Sequence, residues 1–302
     1  MEDYNNTTIL LLGFPGLCGF RIVIFLFLLM IYLTTICGNL LVIILVAYSR
    51  HLHSPMYFFM TQLTTLDILV TSDIVPNMLH MILNNGSSML LSECLAQFFF
   101  FSFSESSECL LLTVMSYDRY LAICRPLHYH SLMSPMLCLI SVAMTWLFSL
   151  VVMSVQTINI SRLRFPMSNV IDHFFCELDP IIQLSTSSTL TIETFKIYIC
   201  VPAVLFPLLM IVVSYGSIVR AVLKMKSILR HKAFTTCSSH LTIVFIFYGT
   251  LICIYLVPLH GKFIAVRKLL SLSYTVMTPL INPIIYCLRN NDIRKALMTF
   301  GR

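Results

Sequence analysis

The sequence predicts an all-α membrane protein: a seven-transmembrane helix bundle with an extracellular N-terminus and a cytoplasmic C-terminus. Three observations carry that prediction. Hydrophobic residues fill 58% of the 302 positions and charged ones only 11%, where a soluble domain has about 25% charged residues. Apolar runs long enough to cross about 30 Å of hydrocarbon recur along the whole chain. Basic residues gather in the segments that would share one side of the bilayer.

The seven runs are residues 22–47, 57–83, 95–118, 136–158, 196–221, 234–258 and 269–288. Between them lie Pro, Asn, Gly or clustered charge, which interrupt helices. No segment is left for a separate soluble domain. Residues 1–302 therefore read as one seven-span membrane domain, with a short outer segment at 1–21 and a cytoplasmic tail from about residue 289. In this topology twelve of the 19 lysines and arginines lie inside, including Arg125, Arg220, Lys224, Lys226, Arg230 and Lys232. The other seven face outward, where seven carboxylates offset them. This is the positive-inside pattern, so the net charge of +6 reports topology and gives no ground for nucleic-acid binding. The start, Met1-Glu2-Asp3-Tyr4, lacks the basic and apolar character of a signal peptide, so the first span is expected to act as the insertion signal.

Most of the 11 cysteines fall within apolar runs. Cys37, Cys138, Cys200 and Cys253 read as small buried hydrophobes. Cys94 and Cys176 fall at outward positions, where an oxidising exterior permits a bridge, and Cys18 has no evident partner. Glycosylation sequons stand at Asn5, Asn6, Asn85 and Asn159. The first two lie on a free segment and are the expected sites. The other two hug the membrane and read as unmodified.

Helical rise converts spacing into depth at about 1.5 Å per residue. Counted from Arg119 at the inner edge, Glu108 lies roughly 16 Å up, and Asp67 lies roughly 15 Å from Tyr57. The two carboxylates should be level, with Asn39 and Asn282 close to the same layer. Ionisable groups inside a membrane point to function. Either Asp67 and Glu108 hold a cation, Na⁺, or one is protonated and hydrogen-bonded to the other because adjacent like charges repel. Glu105 stands a turn nearer the outside and shares a helical face with Phe101, Ser102, Ser106 and Cys109, which together suit one wall of a ligand cavity. Asp73 sits at a similar height. Glu105 recognises an amine or strong donor, leans down to the Asp67–Glu108 cluster, or is neutral and internally bonded.

Several segments occur in an order that points to one family. Gly38-Asn39 lies in span one and Leu52-His53-Ser54-Pro55-Met56-Tyr57 opens span two. Met115-Ser116-Tyr117-Asp118-Arg119-Tyr120 closes span three. Ser214-Tyr215 lies in span five, Lys232-Ala233-Phe234-Thr235-Thr236-Cys237-Ser238-Ser239-His240 opens span six, and Pro279-Leu280-Ile281-Asn282-Pro283-Ile284-Ile285-Tyr286 closes span seven. This set resembles the odorant receptors among the rhodopsin-like G-protein-coupled receptors, and Ser54 before Pro55 resembles their tetrapod-type second class.

The resemblance implies a multi-pass plasma-membrane receptor that binds small, mostly apolar volatile molecules. It implies coupling to a heterotrimeric G protein of the stimulatory, olfactory type, which raises cyclic AMP. It also implies a switch made of Asp118, Arg119, Tyr120, Tyr215, His240, Asn282, Pro283 and Tyr286, a Cys94–Cys176 disulfide, and Na⁺ at the aspartate matching Asp67. Cys200, Ala203, Tyr248, Ile252, Tyr255, Leu272 and Thr275 match positions that line the pocket in similar receptors. Two further loop cysteines common in the family are replaced here by Pro166 and Thr186, so a looser second extracellular loop is expected. His173-Phe174-Phe175-Cys176-Glu177 has the residue types of a soft-metal site, but a bridged Cys176 offers no thiolate. No organic cofactor is expected.

Other classes fit less well. A secondary transporter using Asp67 and Glu108 would show matching repeats, and seven spans do not halve. No nucleophile–base arrangement marks an enzyme. Another rhodopsin-like receptor is the nearest alternative, and the span-six motif argues against it.

Overall fold

The computed structural model describes residues 7–16, 19–166, 168–256 and 263–300. Among them, seven helices are long and apolar enough to cross a membrane. Spans one to four are Arg21–Tyr48, Pro55–Asn84, Leu91–Cys124 and Pro135–Ser161. Span five is Leu190–Leu223, span six lies within the helix Ser227–Leu256, and span seven is Ile264–Leu288. Each begins earlier than its apolar run. Hydropathy marks the stretch that crosses hydrocarbon, whereas the helix continues into polar turns while its backbone finds partners. The starts of spans two and four carry Pro at the first turn, where its missing N–H costs nothing. Ser134 Oγ accepts from the Leu137 N–H (3.2 Å), and Glu93 Oε2 accepts from the Leu90 N–H (2.8 Å).

Burial fixes the order of the bundle. In spans two and three 56% of the apolar window is buried, but in span five only 11%. Spans two and three are therefore central, and span five shows most of its surface to lipid. Phe27, Leu147, Phe206 and Phe245 project outward as lipid-facing side chains. Cys138 is buried, but Cys37 and Cys253 are exposed on outer helix faces, contrary to the expectation that they sit inside. Lipid is as apolar as the core, so hydropathy alone does not separate those two environments.

Prolines explain much of the interior. Pro283 has no N–H to give the carbonyl four residues earlier, and that carbonyl, Pro279 O, accepts from Asn39 Nδ2 of span one at 3.0 Å. Gly38 permits the approach, because a Cβ there would stand 3.2 Å from Pro283 Cγ. Two π-helical segments, Lys196–Cys200 and Ser273–Met277, interrupt spans five and seven. Each contains the residue four before a proline (Tyr198 before Pro202, Thr275 before Pro279), so the regular ladder is already broken there.

The extracellular face holds structure that the apolar pattern did not announce. Strands β1 (Thr8–Leu11), β2 (Ser87–Leu90) and β3 (Ser168–Ile171) form one sheet in the order β2-β1-β3, antiparallel in the first pair and parallel in the second. The N-terminal strand is thus the middle one. Left-handed Asn85 (φ 60°) and Gly86 (φ 129°) turn the chain from span two into β2. A Cys94–Cys176 disulfide pins the second extracellular loop to span three, with Cα atoms 5.5 Å apart.

The loop is not loose where Pro166 and Thr186 replace cysteines. Arg164 O accepts from Thr186 N (3.0 Å) and Thr186 Oγ1 (3.2 Å), while Arg164 N donates to Ser187 Oγ (3.1 Å). Hydrogen bonds close the loop beside the position a second bridge would take. On the inner side an amphipathic helix, Asn291–Phe300, follows span seven and buries Ile293 and Ala296. Asn5, Asn6 and Cys18 lie outside the described residues.

Candidate functional site

A cavity of about 380 Å³ opens in the outer half of the bundle. Span three supplies Phe98, Phe101, Ser102, Glu105, Ser106 and Cys109, residues a turn apart on one face. Span four adds Met153 and Gln156, span five Cys200, Ala203 and Val204, span six Leu251 and Ile254, and span seven Tyr274. Ser149 Oγ of span four donates to Ser106 Oγ at 3.1 Å and fixes that wall. The structure brings together Phe101, Ser102, Glu105, Ser106, Cys109, Cys200 and Ala203 among the residues singled out from sequence.

Four others lie elsewhere. Tyr248 is buried in the inner core, Ile252 is 45% exposed on the outer face, Leu272 packs into the outer core, and Thr275 is buried with its hydroxyl on Ser271 O at 2.8 Å. In span six the inward stripe runs through Leu251 and Ile254, which leaves Ile252 facing out. In span seven the π segment turns Tyr274 toward the cavity in place of Leu272 and Thr275. The side chain of Tyr255 lies outside the described residues. Asp73 does not line the cavity; its carbonyl accepts from Gln97 Nε2 at 3.2 Å, and Gln97 Oε1 accepts from the Cys176 N–H at 2.9 Å.

The roof is an ion-pair cluster that residue counting missed. Arg267 Nη2 bonds Glu177 Oε1 at 3.0 Å and Asp179 Oδ2 at 3.2 Å, and Lys196 pairs with Asp179. Lys268 Nζ reaches Asp172 Oδ1 at 2.5 Å and Gly13 O at 2.7 Å. These contacts tie the loop and the N-terminal segment to spans five and seven. The equal numbers of outward bases and acids were visible in the sequence, but their pairing is a property of the fold. Burial pushes the Glu177 carboxyl above its usual range, and the Arg267 charge opposes that shift.

His173 lies under this roof, stacked on Phe174 and packed edge-on to Phe175, each with ring centroids 4.8 Å away. Burial first, then Lys268 and Arg267, lowers its pKa to about 3. The imidazole is neutral; neither ring nitrogen has a hydrogen-bond partner among the described residues, and Glu177 Oε2 stands 3.8 Å from Nε2. Among those residues no cluster of three or more His, Cys, Asp or Glu could hold a metal ion.

Below the cavity lies a second polar layer. Asn282 Nδ2 donates to both Asp67 oxygens, at 3.1 and 3.0 Å. Among the described residues no hydrogen bond joins Asp67 to Glu108. Buried Glu108 Oε1, Asn39 Oδ1 and the Tyr286 hydroxyl have no partner there. A carboxylate with unsatisfied oxygens around it has the donor set of a hard-cation site.

At the inner edge Arg119 folds back on its neighbour, with Nε and Nη2 at 3.0 and 2.5 Å from Asp118 Oδ2. The Tyr129 hydroxyl holds the other Asp118 oxygen at 2.7 Å. The Tyr215 hydroxyl and His240 Nδ1 meet at 2.6 Å with their rings stacked, joining spans five and six. Tyr120 stacks on Tyr117, with centroids 6.2 Å apart. The Tyr57 hydroxyl lies within hydrogen-bonding distance of both Asn290 Oδ1 (3.1 Å) and Asp292 Oδ2 (3.2 Å), joining span two to the terminal helix.

A family model described as "Olfactory receptor" matches residues 28–300. The chain belongs to the olfactory receptor family. It is 39% identical over 302 residues to olfactory receptor 1468 of Rattus norvegicus, covering 99% of this chain and 96% of that one. It is 41% identical over 305 residues to olfactory receptor 10P1 of Homo sapiens, covering 98% and 96%. With olfactory receptor 1M1 of Mus musculus it shares 38% over 301 residues, again covering 98% and 96%. This olfactory receptor is therefore a multi-pass membrane protein of a receptor family and not an enzyme. The family match takes in both the cavity and the Asp118–Arg119 pair.

Proposed function

We propose that this receptor binds a small, mostly apolar volatile molecule in the outer cavity and activates a stimulatory, olfactory-type G protein that raises cyclic AMP. One observation carries the reading: the unbroken helix Leu91–Cys124 forms the cavity wall at Glu105 and bears Arg119 at its inner end. A ligand that binds the active packing better shifts the equilibrium toward it. Spans six and seven move about the Pro283 break, Tyr215 and His240 part, and Arg119 leaves Asp118. The G protein then meets the basic inner rim. Affinity from so small a ligand is bounded by about 1.5 kcal/mol per heavy atom at best, so micromolar potency is the expected range.

The same reading assigns Na⁺ to the middle layer. Asp67 and Glu108 supply the charge and Asn39 Oδ1 a neutral oxygen, while the bound ion stabilises the resting packing. The unpartnered oxygens of Glu108 and Asn39 support it. The test is cyclic AMP in cells bearing the receptor at the surface, with and without the olfactory-type G protein. Responses that persist without that protein overturn the coupling. Basal signalling should fall as external sodium rises in wild type but not in Asp67→Asn, and equal behaviour of the two removes the ion.

A further inference from the structure

The cavity lining carries five charged side chains: Glu105, Glu177, Asp179, Lys196 and Arg267. Both bases are already committed. Arg267 bonds Glu177 and Asp179, and Lys196 pairs with Asp179. Among the described residues, none lies within ion-pairing distance of Glu105. The roof is thus internally neutral, and the wall keeps one carboxyl without a counter-charge. Its charged neighbours are of its own sign, with Glu177 above and Glu108 below close enough to act on it.

A buried carboxyl without a counter-charge is costly to ionise, and a ligand that brings an ammonium supplies the missing partner. The surroundings suit an ammonium group in particular. Phe101 stands one turn above Glu105, and its ring touches that of Tyr274 with centroids 5.6 Å apart, so two aromatic rings share the cavity lining with the carboxyl. Aromatic faces attract cations. Phe98, Met153, Leu251 and Ile254 leave apolar space beyond for a hydrocarbon body. An acid ligand finds both cations occupied and no free base to pair with.

We propose that this receptor takes small primary amines carrying an apolar chain, the ammonium paired with Glu105 in the part of the cavity that Phe101 and Tyr274 also line. The proposal rests on the receptor reading above and names its ligand class. The probes are hexylamine, hexan-1-ol and hexanoic acid. They are applied to surface-labelled wild type, Glu105→Gln and Glu105→Asp with cyclic AMP as readout, and to purified full-length receptor with thermal unfolding as readout.

Hexylamine should act at concentrations at least about tenfold below hexan-1-ol on wild type. Glu105→Gln should raise the hexylamine concentration required by about 30-fold, as loss of a buried charge partner does. Hexan-1-ol should shift by less than about threefold, as expected where no charge pair is lost. Glu105→Asp, which keeps the charge, should restore part of the amine response.

A wild type that answers hexan-1-ol no less readily than hexylamine overturns the amine and leaves the receptor standing. So does a Glu105→Gln variant that reaches the surface and loses both responses equally. A Glu105-dependent thermal shift with hexylamine but no cyclic AMP keeps the amine site and overturns the coupling. Absence of both signals in wild type overturns the proposal.

Discussion

The outer and inner halves of this receptor tie their segments together in opposite ways. Outside, charge meets charge: Arg267, Lys196 and Lys268 are matched to Glu177, Asp179 and Asp172, all drawn from loops and helix ends. In the membrane interior, the ties between spans run through neutral partners. Asn282 holds Asp67, Asn39 holds Pro279 O, and Tyr215 holds His240. The difference follows from solvent. Near water, an ion pair can be desolvated in part and still be repaid by its partner, whereas at mid-membrane each bare charge costs far more than a dipole. Ion pairs accordingly hold a lid in place, while weaker dipolar contacts hold helices whose packing has to change.

The contrast fails if the outer contacts prove dispensable, and Arg267 is the strongest test. Its removal leaves half-buried Glu177 without a basic partner and Asp179 with Lys196 alone, so Arg267→Ala should cost about 3 kcal/mol in thermal unfolding of the solubilised receptor. Adding Glu177→Gln should return part of the loss. A cost near zero would show that the roof is an exposed, screened cluster.

Acid should also weaken the outer half. His173 is neutral when folded, with a pKa lowered to about 3 from 6.5. Its contribution is complete above pH 6.5 and is lost as pH falls through the window down to about 3. At pH 5 the loss should reach about 2 kcal/mol, at 1.36 kcal/mol per pH unit. Unfolding of wild type and His173→Phe measured across this range should diverge below pH 6.5, and parallel curves would remove His173 from the account.

The inner half predicts smaller effects. Asn39→Ala leaves the Pro279 carbonyl without a donor and should cost about 1–3 kcal/mol in the same unfolding assay. Tyr215→Phe removes one neutral hydrogen bond to His240, about 1 kcal/mol. Because that bond favours the packing seen here, basal cyclic AMP should rise about fivefold. An unchanged basal level would mean that the bond contributes equally to both packings.

Much of this was legible from the chain. Composition and the recurring apolar runs fixed seven spans, since nothing else satisfies so much backbone in hydrocarbon. Span three's cavity face followed from helical spacing alone, which is why Phe101, Ser102, Glu105, Ser106 and Cys109 fall together. Spacing failed where the helix was not regular. The π segment in span seven exchanged Leu272 and Thr275 for Tyr274, and one step of register in span six exchanged Ile252 for Leu251.

By itself, then, the sequence determined the spans and their order, because those depend on local hydropathy and helix length. Only the tertiary structure decided that Thr8–Leu11 becomes a central strand, that hydrogen bonds to Arg164 close the loop beside Pro166 and Thr186, and that both cavity cations are spoken for. Each of these joins segments far apart in the chain. Which acid meets which base is set by packing geometry, and no residue's own chemistry specifies it.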